Sequence, residues 1–375
     1  MPPKKSNKHR LEFRKGHQGQ PRRSDLTKEY DEARDEIDTV GSQRVSGKGD
    51  LTRHRTVRDE IRSDGTLAGT ILRVHGLESI AKTDDGRILR CAVRRVLKNL
   101  STHERHVVVT GDRVEIEPHG AEQGWILKIE PRRSELSRTS KNRRHVMVAN
   151  IDQLLIVTSA AQPNLKPHLI DRILATAEQN QIDACICVNK CDLVDPGSLQ
   201  PLLGNYAQMG YPVWMVSAAQ GWGIEHLKRL TRSCVSVVIG QSGVGKSSIL
   251  NAIELGLNQR IQEVSQDNQK GKHTTTTAQW FDLPNGGALV DTPGVRQFQL
   301  WDVVAEELTG LFRDIRPFAS HCRYPNCSHQ HENDCAVKDA VADGRLDPRR
   351  YDSYIQMLDN PYVPEASDDD PFAAL

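Results

Sequence analysis

The spacing of apolar and polar positions changes near residue 150, and that change divides the chain. From about Leu67 to Glu130 the apolar residues fall in short, β-branched, partly alternating runs. These are Thr70-Ile-Leu-Arg-Val, Ile88-Leu-Arg-Cys-Ala-Val, His106-Val-Val-Val, Arg113-Val-Glu-Ile-Glu and Trp125-Ile-Leu-Lys-Ile. Turns such as Asp84-Asp-Gly86 and Gly111-Asp112 separate them. About five short strands with no helix among them predict a small all-β barrel of the OB type. A basic connector follows, with Arg132, Arg133, Arg138, Lys141, Arg143 and Arg144.

After Ile151 the period lengthens. Gln153-Leu-Leu-Ile-Val-Thr reads as a buried strand, and Ile170, Ile173, Leu174 and Ala177 share one face of a helix. The strand Asp183-Ala-Cys-Ile-Cys-Val, a helix, and the strand Pro212-Val-Trp-Met-Val-Ser217 come next. A helix then begins at Gly223-Ile-Glu-His-Leu-Lys, and Val235-Ser-Val-Val-Ile is a further strand. Strands alternating with helices of this length predict a parallel sheet covered on both faces. Beyond Ala305 the pattern is helical. There Asp347-Pro348 caps a helix with Tyr351, Tyr354, Ile355 and Leu358 on one side, a stripe read as packing.

The 375 residues leave room for two or three domains. Net charge is +1, so only its distribution is informative. Lys4, Lys5, Lys8, Arg10, Arg14, Lys15, Arg22 and Arg23 crowd the first fifty positions, and Glu365-Ala-Ser-Asp-Asp-Asp370 ends the chain acidic. Both read as solvated tails, and a basic tail can still hold a phosphate backbone. No apolar run approaches the roughly 18 residues of a membrane span, and no signal-like apolar core opens the chain. The eight cysteines are spread between apolar runs and one cluster, which suits a reducing cytoplasm better than a disulfide framework.

Chemistry enters through four dispersed segments. Gly240-Gln241-Ser242-Gly243-Val244-Gly245-Lys246-Ser247 fits the phosphate-loop pattern between a strand and the helix that takes in Ser248. Backbone N–H groups there would converge on phosphates, Lys246 would reach the β- and γ-phosphates, and Ser247 would ligate Mg²⁺. Asp291-Thr-Pro-Gly294 at another strand end supplies a carboxylate for Mg²⁺ and an N–H for the γ-phosphate. Asn189-Lys190-Cys191-Asp192 would read guanine, since a carboxylate accepts from the base N1–H and the exocyclic amine. Ser217-Ala218 could offer a backbone N–H to the guanine oxygen. Together these segments select GTP over ATP.

The tetrad precedes the phosphate loop, whereas ordinary GTPases place it downstream, so the domain is circularly permuted. Between loop and Asp291 lies Gly271-Lys-His-Thr-Thr-Thr-Thr277, a switch loop in which either Thr275 or Thr276 would meet Mg²⁺. Where many GTPases carry a water-orienting glutamine after D-x-x-G, this chain has Val295. His273 is the nearest residue that could position or deprotonate a water. Finally, Cys322-x4-Cys327-x-His329-x5-Cys335 supplies a closed tetrahedral zinc set, one ion per chain in a structural role. His321 and His331 stand beside it as competitors.

Barrel, permuted GTPase and cysteine–histidine segment together resemble the bacterial ribosome small subunit-dependent GTPase A family, RsgA (YjeQ), over roughly residues 67 to 360. The Gly-Lys-His-Thr-Thr-Thr run is similar to that family's switch loop. The resemblance implies a cytoplasmic GTP phosphohydrolase acting late in small-subunit assembly, contacting ribosomal RNA and stimulated by the particle. It also implies His273 as the catalytic histidine. The expected organisation is a basic tail (1–60), an OB barrel (67–135), a permuted G domain (148–304), a helical zinc domain (305–360) and an acidic tail (361–375). A monomer off the membrane is expected. The competing reading is a GTP-gated RNA-binding module in which hydrolysis is incidental.

Overall fold

The β-branched runs close into a barrel because each strand hides alternate residues from water. The computed structural model describes residues 65–93, 107–140, 143–254, 256–257, 278–284, 286–292 and 305–359. Both expected tails, His273, Thr275, Thr276 and Gly294 lie outside the described residues. The described residues belong to one unit, Arg58–Leu375.

Five strands form the barrel: β1 (Leu67–His75), β2 (Glu78–Thr83), β3 (Ile88–Val93), β4 (Arg113–His119) and β5 (Gln123–Ile129). Their order is β1-β2-β3-β5-β4, and β4 pairs back onto β1. Only the β3–β5 pairing is parallel, which is the five-stranded Greek-key closure of an OB barrel. Ile71, Leu89, Cys91, Val114, Ile116 and Ile126 fill its interior.

Two sequence readings need correction. Val107–Val109 is not a strand. The Asp112 carboxylate accepts from Val109 N at 2.8 Å and closes the run into a turn, with Val108 and Val109 buried. The missing strand is β2, whose Glu-Ser-Ile-Ala-Lys-Thr has too few apolar residues to stand out. The basic connector, likewise, is a two-stranded antiparallel ribbon, β6 (Glu135–Ser140) with β7 (Arg143–Ala149). Leu136, Val146 and Val148 bury its inner side, while the charged residues between them masked the alternation.

The second sheet region comprises β8 (Gln153–Ser159), β9 (Asp183–Asn189), β10 (Val213–Met215), β11 (Val235–Ile239), β12 (Gln279–Asp282) and β13 (Ala288–Asp291). In the order β10-β9-β8-β11-β13 all neighbours are parallel. Central β8 is buried along its whole length, and its middle, Leu154–Val157, is a continuous apolar run. Leu154 and Ile156 face α1 (Pro167–Gln179) and α2 (Pro196–Gln208) on one side. Leu155 and Val157 face α3 (Ile224–Leu230) and α4 (Lys246–Ile253) on the other. The all-parallel expectation fails at one edge. There β12 runs antiparallel to β13 and pairs with β1, joining this sheet to the barrel.

Four helices complete the chain: α5 (Ala305–Leu311), α6 (Arg316–Ala319), α7 (Ala336–Ala342) and α8 (Pro348–Asp359). Phe312, Ile315, Val337, Leu346, Tyr354 and Met357 pack together, and α5 and α8 rest on α1. The buried face of α8 is Arg350, Ser353, Tyr354 and Met357, with Tyr351, Ile355 and Leu358 half-buried at its margin. Arg350 goes inside because it finds carboxylates there. It lies 2.5 Å from Asp171 of α1 and donates to both Asp314 oxygens at 2.9 and 3.0 Å.

Candidate functional site

The carboxyl ends of parallel strands form one edge, and the strand order reverses between β8, which leads to β9 on one side, and its neighbour β11, which leads on to β13 on the other. Such a switch point opens a crevice between the following loops. The tetrad follows β9 and the phosphate loop follows β11, so both line that crevice whatever their order in the chain.

Their contacts are direct. Asn189 is 2% exposed; its Nδ2 donates to Val244 O at 3.0 Å, and its Oδ1 accepts from Ala218 N at 3.0 Å. One amide therefore ties the phosphate loop to the Ser217-Ala218 turn. Gly245 has φ +91°, and a Cβ there would stand 2.3 Å from Asn189 Nδ2. Any side chain at that position would break the tie. Lys190, itself left-handed at φ 61°, donates through Nζ to Gly243 O at 2.8 Å and to Gln162 O. The Gln162-Pro163 segment after β8 thus straps tetrad to loop, and Ser159 Oγ fixes it by donating to Pro163 O at 2.6 Å.

Lys246 opens α4, and its ammonium donates to Gly240 O at 2.7 Å and Gln241 O at 2.5 Å. Ser247 and Ser248 are exposed in the first turn of α4, as are Ser242 and Gly243 in the loop, while Val244 anchors the loop in the core. Asp291 ends β13 beside β11, opposite Val238. Cys191 points inward. Its thiol donates to Val188 O at 3.2 Å, its N–H to Val216 O at 3.1 Å, and burial raises its pKa. Ser217 is fully buried, with its N–H on Trp222 O and its hydroxyl accepting from Gln220 N. Asp192 is the exception: its Oδ1 is buried and has no hydrogen-bond partner among the described residues. A carboxylate oxygen in that state wants a donor.

A second cluster lies between α6 and α7. The ligand atoms of Cys322, Cys327, His329 and Cys335 are all within 4.8 Å of one another. Cys322 Sγ and Cys335 Sγ are 3.8 Å apart, and each is 3.5 Å from His329 Nδ1. A tetrahedron with metal–sulfur bonds near 2.3 Å and metal–nitrogen bonds near 2.0 Å has edges of about 3.5–3.8 Å. The residues fit a metal ion. His329 adopts φ 63°, and Tyr351 Oη donates to its carbonyl at 2.7 Å. Burial pushes the Cys327 thiol up to about 12, with the neighbouring thiols adding to it, and lowers the His329 pKa. His321 contacts Pro317 O and Ser320 instead, and exposed His331 is not in the cluster.

Sequence reasoning missed the Gln162-Pro163 strap and the tying role of Asn189. A proline just past a buried strand was the only signal for the strap, and nothing local marks its contact with Lys190. No helix among the described residues is long and apolar enough to cross a membrane.

Comparison with known proteins follows this geometry. A family profile described as RsgA GTPase matches residues 129–301. The small ribosomal subunit biogenesis GTPase RsgA of Chlorobaculum parvum is 39% identical over 307 residues, spanning 79% of this chain and 98% of that protein. The protein of the same name from Shewanella oneidensis is 37% identical over 295 residues, spanning 78% and 82%. Among solved structures, YjeQ from Thermotoga maritima superposes with a TM-score of 0.64 at 31% identity, covering 79% of this chain and 98% of that one. YloQ, titled a circularly permuted GTPase, gives 0.60 at 27% identity, covering 81% and 99%.

Proposed function

The chain belongs to the RsgA GTPase family, and from that premise we propose that it binds the small ribosomal subunit, acts in its late maturation, and hydrolyses GTP faster on that particle. The observation that carries the reading is the contact of tetrad with phosphate loop, Asn189 on Val244 and Lys190 on Gly243, beside an Asp192 oxygen awaiting a donor. Guanine offers two donors, N1–H and the exocyclic amine, to one carboxylate. Adenine has no such pair. Asn189 uses both ends of its amide on the backbone, so it organises the pocket and leaves Asp192 to select the base.

The remaining roles follow from placement and residue type. Gly240–Ser248 cradle the phosphates at the start of α4, and Lys246 exchanges its carbonyl partners for β- and γ-phosphate oxygens. Ser247, Asp291 and Thr275 or Thr276 would hold Mg²⁺, which would neutralise negative charge on the phosphates. Gly294 N–H senses the γ-phosphate, and His273 orients or deprotonates the attacking water, a task Val295 cannot perform. Cys322, Cys327, His329 and Cys335 hold one structural Zn²⁺, which stabilises a segment of short helices with little core of its own. The domain limits belonging to this reading are 67–135, 148–304 and 305–360.

RNA contact rests on the barrel and the basic ribbon. Arg73 lies on β1, and β6–β7 carries Arg138, Arg143 and Arg144; Lys141 falls between these strands. With Trp125 largely buried, phosphate and shape contacts dominate over base stacking. The test is GTP turnover with and without purified small subunits. Strong stimulation is expected; unchanged turnover together with no co-sedimentation would overturn the assignment.

A further inference from the structure

Barrel and nucleotide sheet meet at β12, where Gln279 sits opposite Arg73 of β1 on one edge and opposite Asp291 of β13 on the other. One residue earlier, the Ala278 carbonyl accepts a hydrogen bond from Thr110 Oγ1 at 2.8 Å. Both residues are buried, so water does not compete for that carbonyl. In the sequence, Ala278 directly follows the run Thr274–Thr277.

The turn that carries Thr110 is built to hold its position. Gly111 N donates to Ile71 O at 2.8 Å, and Ala149 N donates to Thr110 O at 2.9 Å. Asp112, fully buried, is gripped by Arg132 Nε at 2.7 Å and Nη2 at 3.1 Å. Asn150 Nδ2 donates to Gly111 O at 2.9 Å. Gly111 has φ +88°, and a Cβ there would lie 2.1 Å from Ala149 O, so the close approach of the two segments requires glycine. Barrel, ribbon and the entry to β8 all converge on this turn, and it presents one hydroxyl to the strand paired with Asp291.

We infer that Thr110 is a positioning residue for the GTPase reaction. Its hydroxyl pins Ala278 to the barrel, so an RNA load on the barrel bears on the register of β12 against Asp291. The inference rests on the nucleotide site and the partner proposed above, and it adds how the two communicate.

The experiment compares full-length wild type, Thr110→Val, Thr110→Ser and His273→Ala. Turnover is measured with and without purified small subunits, and affinity is measured for GDP and a non-hydrolysable GTP analogue. Thr110→Val keeps the shape and removes the donor. It should lower subunit-stimulated kcat about tenfold, the share of one hydrogen bond. KM and GDP affinity should stay within about twofold, and Thr110→Ser should restore the rate. Wild-type stimulated kcat in Thr110→Val, or loss of GDP affinity in parallel with kcat, would overturn the inference. If Thr110→Val does not fold, Thr110→Ala is read by the same criteria. His273→Ala separates the two readings. If it hydrolyses normally, the site assignment itself fails. If it is inactive while Thr110→Val is unaffected, only the positioning role fails.

Discussion

Asp192 and Asn189 share a motif but do different work. Asn189 satisfies a carbonyl and an N–H of two loops, so its loss would loosen the whole crevice. Asp192 keeps one oxygen without a hydrogen-bond partner among the described residues, and that oxygen is the one proposed to select the base. Asp192→Asn replaces an acceptor with an amide and removes the charge. We expect GTP affinity to fall about 10²-fold, since a hydrogen bond to a charged group contributes roughly 1.5–3 kcal/mol. Xanthosine triphosphate should bind the variant better than GTP does, measured by competition; an unchanged GTP preference would reject the assignment. His273→Ala should lower kcat about 10²-fold or more with nucleotide affinity kept, the usual range for a lost general base. Single-turnover hydrolysis checks it. The same variant decides whether hydrolysis serves release from the subunit: normal release without hydrolysis would favour occupancy alone as the function.

Among the elements, the segment between α6 and α7 depends most on its side chains. It has a left-handed histidine, four convergent ligands and two tyrosine hydroxyls donating to its backbone. Purified protein should contain one zinc per chain by elemental analysis. Cys327→Ser should lose most of that zinc and lower the melting temperature, because three ligands bind the ion far less tightly. Helix α8 shows the limit of reading a stripe from spacing. Tyr354 was correctly placed inside, but Arg350 shares that face because α1 and Asp314 offer carboxylates. Burial opposes its charge, yet Asp171 and Asp314 outweigh that and hold the guanidinium protonated. Arg350→Met removes one partner of a buried ion pair and strands the others. Unfolding free energy should fall by about 3–5 kcal/mol in urea titration. A loss below about 1 kcal/mol would mean that the network adds nothing to docking of the C-terminal helices.

At the scale of the whole molecule, three packed regions are joined through β12 and α1. The barrel reaches the nucleotide sheet through Ala278 and Gln279, and the C-terminal helices lean on α1, which follows the strap that contacts Lys190. Among the described residues, the C-terminal helices pack on the nucleotide-sheet region through α1 and α2, where Arg350 meets Asp171 and Tyr206 donates to the same carboxylate at 2.7 Å. The sequence by itself determined the chemistry: phosphate loop, tetrad and cysteine–histidine set each depend on residue types at short spacing, which local order fully expresses. It also indicated the parallel sheet, since β8 and β9 carry apolar runs, Leu154–Val157 and Ala184–Val188, between polar ends. It misread Val107–Val109 and the ribbon and passed over β2 and β12, because a strand's identity there depends on partners elsewhere in the chain. Which atoms meet across the crevice was decided only by tertiary structure. A hydroxyl such as Thr110 acquires a role only when folding brings it to a carbonyl 168 positions away, and no local pattern encodes that distance.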